Sequence, residues 1–143
     1  MSALNFKNAE LVAVGNFLDG LKLKGRASRG RTKLIKVFAE KNKEYTEDLD
    51  EIRKNYFEVD DRGELKKDGD HYIFKNEDDL PQLQKEMSDL AEEKAVIDCT
   101  EYLEKFKALY QELLDYPYEL DSQAALIYDV LMDQLEKTEE EGN

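Results

Sequence analysis

Lys and Arg side chains are concentrated in one stretch of the sequence, Lys22–Lys36, and the chemistry open to such a stretch is anion binding. Seven of its fifteen residues are basic, and no Asp or Glu occurs between Gly20 and Ala39. Guanidinium groups bind carboxylates and phosphates through paired hydrogen bonds, which makes arginine suited to this role. The candidate interaction surface therefore consists of Lys22, Lys24, Arg26, Arg29, Arg31, Lys33 and Lys36.

The basic stretch has three interpretations. It neutralises acidic residues of neighbouring helices in the same chain, it docks an acidic protein partner such as a second copy of this chain, or it contacts nucleic acid phosphates. The third is disfavoured because no aromatic residue interleaves the run, as stacking recognition of single strands requires. The first two stay open, and in both we expect Arg26, Arg29 and Arg31 to face carboxylates and not a concave ligand site.

The glycines around the basic stretch resemble a phosphate-binding loop only superficially. Gly20, Gly25 and Gly30 precede or open a predicted helix, whose N-terminus attracts anions. The spacings of the nucleotide-binding P-loop and of the dinucleotide-binding loop are both absent. We therefore predict no cofactor.

Metal binding and nucleophilic catalysis have few candidate residues. Cys99 and His71 are the only Cys and the only His, and a structural zinc site needs four N or S ligands. The neighbouring Asp98 raises a thiol pKa, which disfavours a reactive Cys99. The acidic residues of the central segment lack calcium-loop spacing and are typical of turns. These are Asp60, Asp61, Asp68 and Asp70. The sequence thus predicts no catalytic or metal-binding residue, and we expect no enzyme.

The charge outside the basic stretch is strongly negative. The chain carries a net charge of −13, and Val37–Asn143 holds 13 basic against 32 acidic residues. Such a body repels nucleic acid and anionic membranes. No run of about 20 apolar residues could span a bilayer, and a single cysteine suits a reducing cytosol. A cytoplasmic protein is expected. The same charge supports an alternative function, an acidic inhibitor that mimics nucleic acid and blocks a host enzyme.

Hydrophobic periodicity predicts a mainly α protein with minor β structure. The expected architecture is an elongated helical hairpin or bundle of about five helices with a small β-hairpin, in a single domain. Its predicted parts are an N-terminal helix and connector (1–25), a long helical hairpin (26–98) with its β tip at 59–75, C-terminal helices (99–137) and a tail (138–143).

Two matching apolar stripes predict the hairpin. The long helix, about Ser28–Tyr56, and a third helix capped by Asn76 both repeat apolar residues at steps close to a heptad, as in coiled coils. An antiparallel pair satisfies both stripes, and any remaining apolar edge favours a homo-oligomer. Around Ala95–Ile97 the third helix continues, or a short strand pairs with Tyr72–Phe74.

The order of these parts resembles a family of small proteins encoded by phages and prophages of Gram-positive bacteria. The resemblance covers nearly the whole chain, and its most specific parts are Leu21–Leu34 and Ala125–Glu136. It implies a phage context and a non-enzymatic helical protein, and it supplies no site residues. We therefore expect a protein that acts through protein–protein contacts, with virion assembly as one hypothesis and the virion as a second location. Binding of nucleic acid through residues 22–36 is a further alternative.

Overall fold

The computed structural model describes residues 2–140 and divides the chain into two compact units. The first comprises Met1–Asn42 and Lys94–Asn143, and the second comprises Lys43–Glu93. The predicted class, mainly α with minor β structure, is confirmed. Of the predicted tail, Lys137–Glu140 forms a short helix, while residues 141–143 lie outside the described part.

The described residues form five longer helices, one short helix and four short strands. The helices are α1 (Leu11–Asp19), α2 (Gly25–Tyr56), α3 (Leu80–Glu92), α4 (Leu103–Leu114), α5 (Ser122–Leu135) and α6 (Lys137–Glu140), with single 3-10 turns at Asn8–Glu10 and Glu77–Asp79. The strands are β1 (Ala3–Lys7), β2 (Lys67–Asp68), β3 (His71–Tyr72) and β4 (Lys94–Asp98).

A two-stranded antiparallel sheet lies in the first unit and joins distant parts of the sequence. β1 pairs with β4 in a register that sets Leu4 opposite Ile97 and Phe6 opposite Ala95. These four side chains are buried, while alternate residues of β4 are exposed. The alternation is the one expected of a sheet with one face on the core.

The core of the first unit is built from this sheet and from the faces of four helices. Phe6 meets Phe38 of α2 edge to face, with ring centroids 4.9 Å apart. Fully buried leucines of α4 and α5 fill the remaining volume. The Asp121 side chain caps α5 by accepting the Ala124 N–H at 2.8 Å, as an Asp at the N-cap position commonly does.

The second unit holds the C-terminal part of α2, a small hairpin and α3. β2 pairs with β3, and isolated bridges join Phe57 to Phe74 and Val59 to Leu65, so the predicted small β-hairpin is present. Of α3, Leu83 and Leu90 are buried.

Tyr56 of α2 is hydrogen-bonded to the Glu86 carboxylate of α3. This hydrogen bond is the main cause of the raised pKa of Tyr56.

Several boundaries differ from the prediction. The first strand was not predicted, and α2 begins at Gly25 and not near Ser28. The segment around Val96 is a strand, but its partner is β1 and not Tyr72–Phe74. The C-terminal helices were predicted from residue 99, whereas the Asp98 carboxylate accepts the Thr100 N–H at 2.9 Å in a local turn and α4 starts only at Leu103.

Within residues 2–140 no helix combines the length and the apolar character needed to cross a membrane.

Candidate interaction surface

The basic segment Lys22–Lys36 consists of a short connector followed by the beginning of α2. Leu21 is buried and anchors the connector in the core. The Arg31 guanidinium donates hydrogen bonds to the Leu21 carbonyl and, at 2.9 Å, to Ser28 Oγ. The Lys22 N–H donates to the Tyr116 hydroxyl at 3.0 Å. The Leu21 carbonyl and the Lys22 N–H belong to one peptide group, so these contacts fix the N-terminal end of the connector.

Four cations of α2 share one face of the helix, and we call them the basic stripe: Arg26, Arg29, Lys33 and Lys36. Their spacings of 3, 4 and 3 residues return to the same side every turn, and the stripe is about 15 Å long at 1.5 Å per residue. Arg26, Arg29 and Lys36 are exposed. The buried face of the same helix part is formed by Ala27, Gly30, Leu34 and Phe38.

Lys33 is the half-buried member of the stripe, and it lies against a tyrosine. Its Nζ is 5.4 Å from the centroid of the Tyr102 ring, a distance at which the ring attracts a cation. Burial is the main cause that raises the pKa of Tyr102, followed by the charge of Glu101. The hydroxyl therefore stays neutral at physiological pH.

The stripe has no carboxylate partner within residues 2–42 and 94–140. The expected intramolecular ion pairs of Arg26, Arg29 and Arg31 are absent there, and Arg31 instead serves a backbone carbonyl and a hydroxyl. The reason lies in the local sequence, because residues three and four positions away from Arg26 and Arg29 within α2 are basic or uncharged. The exposed guanidinium groups keep their donors available for an external anion.

A corner formed by Lys22, Tyr116 and Tyr118 lies beside the connector. The two tyrosine rings are 5.3 Å apart, and Lys22 Nζ is 4.7 Å from the centroid of the Tyr118 ring. Two surface depressions share these three residues, one of about 550 Å³ that extends to Phe17 and one of about 400 Å³ that extends to Glu112. Lys22 thus borders two depressions, and neither of them is lined by Arg26, Arg29 or Arg31, the residues that were expected not to face a concave ligand site.

The corner was missed because its parts are separated by 94 positions in the sequence. Tyr116-Pro117-Tyr118 marks the end of a predicted helix, and no local spacing connects it with Lys22. A lysine and two tyrosines offer an amphipathic surface that suits protein side chains. Of the predicted basic residues, Lys22 and Lys24 therefore lie at the corner, whereas the four residues of the basic stripe lie on α2.

We expect Arg31→Met to destabilise the first unit by about 1–2 kcal/mol, because it removes a charged donor from the Leu21 carbonyl. Arg29→Met, which removes an exposed guanidinium from the same helix, is the matched control and should change little. Urea unfolding followed by circular dichroism compares the two variants. Equal stabilities would show that the contacts of Arg31 do not hold the connector.

The other residues considered from the sequence occupy structural positions. Cys99 is fully buried in the core, and His71 is exposed in β3. Asp60 Oδ1 accepts the N–H groups of Arg62 and Glu64 at 2.8 and 3.0 Å, which is a turn. In the described part of the chain no three His, Cys, Asp or Glu side chains are grouped so that they could hold a metal ion.

Comparison with known proteins gives one similarity. The model of one protein family, described as a protein of unknown function (DUF1617), matches residues 2–142 of the chain. The comparisons with curated proteins and with solved structures found no match.

Proposed function

Since the chain belongs to the DUF1617 family of proteins of unknown function, we propose that it acts as a non-enzymatic phage or prophage protein through protein–protein contacts. In this proposal the basic stripe docks an acidic surface of a protein partner. The setting is the cytoplasm of a Gram-positive host or the virion, and one role that fits is virion assembly.

The observation that carries the proposal is the basic stripe, three of whose four cations are exposed and which has no carboxylate partner within residues 2–42 and 94–140. Arg26 and Arg29 present their donors outward on a helix whose other face is held in the core. A charge surface on a rigid element steers an acidic partner and fixes its register. The adjoining corner of Lys22 and two tyrosines adds the aromatic area that protein interfaces favour.

The proposal is tested by capture from host cells in which the phage is induced. The native protein, the double variant Arg26→Glu/Arg29→Glu and the control Lys66→Glu/Lys75→Glu are used as bait. Each captured protein is then purified and its affinity measured at two salt concentrations. We expect the double variant to bind at least about tenfold more weakly, and the control, exposed in the hairpin region, to bind like the native protein. Equal binding by all three would contradict the role of the stripe.

An acidic mimic of nucleic acid is the second candidate, and a face of α2 in the second unit favours it. Lys43–Glu93 contains 18 acidic and 8 basic residues. Glu44, Glu47 and Glu51 are exposed at spacings of 3 and 4 residues, which places them along one side of the helix. If this candidate is right, the protein displaces duplex DNA from a host DNA-binding enzyme, and reversal of Glu47 and Glu51 to Lys weakens the displacement.

Direct binding of nucleic acid through residues 22–36 is the third candidate. A low-salt assay with duplex DNA decides it, because the loss of two phosphate contacts lowers both the affinity and its salt dependence. Identical results for the native protein and for Arg26→Glu/Arg29→Glu would remove this function.

A further inference from the structure

The strand β4 pairs with β1 along one edge, and its other edge has no strand partner within residues 2–140. In an antiparallel ladder successive residues direct their backbone groups to alternate sides. The Cys99 N–H donates to the Ser2 carbonyl at 3.2 Å, so Ala95, Ile97 and Cys99 point toward β1. The N–H and C=O groups of Lys94, Val96 and Asp98 therefore point away from it, and none of the hydrogen bonds found within residues 2–140 uses them.

The outer edge of β1, unlike that of β4, is hydrogen-bonded to side chains. Two of its three outward N–H groups have side-chain partners, since the Asn5 N–H donates to Gln134 Oε1 at 2.8 Å and the Lys7 N–H donates to Glu10 Oε1 at 2.7 Å. Side chains thus occupy most of the β1 edge, whereas the β4 edge has no hydrogen-bond partner among residues 2–140. An unpaired edge with an exposed Val96, 50% accessible, is a template for another strand.

We infer that β4 pairs with β4 of a second copy of this chain, antiparallel and centred on Val96, so that the two sheets join into one of four strands. The inference goes beyond the proposed function, because it uses a surface other than the basic stripe. The register follows from the backbone: only when Val96 lies opposite the partner's Val96 do the outward groups of Lys94, Val96 and Asp98 meet outward groups of the other copy. Such a pairing is isologous, as in most homodimers.

The side chains of this register are complementary. Lys94 lies opposite the partner's Asp98, Asp98 lies opposite the partner's Lys94, and the two valines pair between them on the exposed face. Opposite charges directly across a ladder stabilise it, and like charges destabilise it. Asp98 can take part because Thr100 engages only its Oδ1, at 2.9 and 2.6 Å. These hydrogen bonds, first that of the Thr100 hydroxyl, also lower the pKa of Asp98, which keeps the carboxylate ionised.

Charges on an edge strand have a second known use, since lysine on such an edge can prevent pairing. The two uses differ in one measurable respect. If Lys94 prevents pairing, the native protein is a monomer. If two β4 strands pair antiparallel, Lys94 of each copy faces Asp98 of the other, and the native protein forms a dimer.

Charge reversal with mixing tests the pairing. In a dimer of the Lys94→Asp variant, two carboxylates face each other at both ends of the strand pair. In a dimer of the Asp98→Lys variant, two ammonium groups face each other there. By sedimentation equilibrium we expect the native protein to dimerise and each variant alone to dissociate at least about tenfold more readily. An equimolar mixture of the two variants restores the opposite-charge pairs in a heterodimer, so association should return.

Three controls keep the outcome interpretable. Val96→Pro removes an outward N–H without touching the β1 ladder, so it should abolish the dimer while circular dichroism stays native. Lys66→Asp changes the net charge as Lys94→Asp does and should dimerise normally, and so should Arg26→Glu/Arg29→Glu, which separates this test from that of the basic stripe. A native protein that is monomeric at high micromolar concentration, or variants that dimerise like it, would overturn the inference.

Discussion

Replacement of Gly30 by Ala should destabilise the first unit by about 2 kcal/mol or more. A Cβ at this position would lie 2.3 Å from the Lys105 carbonyl oxygen and 3.0 Å from the carbonyl carbon. Both are backbone atoms of α4, so the new methyl group can be accommodated only if one helix moves. Overpacking costs about 1–3 kcal/mol and at times more, and a 2.3 Å approach to a backbone atom places this variant at the upper end or beyond it. A gain of about 1 kcal/mol from the better helix propensity of alanine then leaves a net loss of about 2 kcal/mol or more.

Gly15→Ala in α1 is the matched control. Its Cβ would meet Phe38 Cδ2 at 3.9 Å, which is an ordinary contact, so we expect a gain of about 0.5–1 kcal/mol from helix propensity and chain entropy. Thermal and urea unfolding followed by circular dichroism measure both variants, since the chain has no Trp for fluorescence. Two glycine variants that behave alike would show that the α2–α4 contact is not tight.

Phe6→Ala should have the largest effect, a loss of about 3–5 kcal/mol, because it opens a cavity at the centre of the core. The ring is fully buried and contacts Phe38 edge to face. Such a loss is comparable to the whole stability of many domains of this size. We expect the variant to be largely unfolded in the first unit at 37 °C.

Two further variants serve as comparisons for Phe6→Ala. Phe6→Leu retains most of the buried volume and should lose about 1–2 kcal/mol, including the ring contact with Phe38. Leu126→Ala, at a side chain that is 68% exposed, should change stability by less than about 0.5 kcal/mol. If Phe6→Ala unfolded at the same urea concentration as Leu126→Ala, β1 would not be part of the stable structure.

The helices were predictable because their signals are local. The apolar repeats of α2 and α3 and the caps at Asn76 and Asp121 lie within a few residues of the structure they specify, and the Asn76 side chain accepts the Asp78 N–H as a cap does. β1 was not predictable in this way. Its five residues alternate like a strand, but their partner β4 lies about 90 positions away, and no turn connects the two.

The candidate interaction surface was likewise predictable only in part. Its charge was evident from composition, whereas the grouping of Arg26, Arg29, Lys33 and Lys36 on one face depends on α2 starting at Gly25, which has a φ of 65°. The use of Arg31 as a brace for the connector depends on where the Leu21 carbonyl points. The spacing of 3, 4 and 3 residues is visible in the sequence, but it places all four cations on one face only if the helix includes Arg26. The hydrogen bond of Arg31 to the Leu21 carbonyl has no signature in the spacing of charges, because it arises from tertiary packing.

The pairing of β1 with β4 also sets the order in which the protein forms on the ribosome. Leu4 lies opposite Ile97 in the sheet. The Asn5 N–H donates to the Gln134 side chain, and the Ser2 hydroxyl donates to the Lys137 carbonyl. At about 5–20 residues per second, the first strand emerges several seconds before these partners exist. The second unit is contiguous in sequence and can fold during this interval. The N-terminal residues are thus synthesised first but can reach their native place only after these partners have emerged, and until then the buried Leu4 and Phe6 are exposed on the nascent chain.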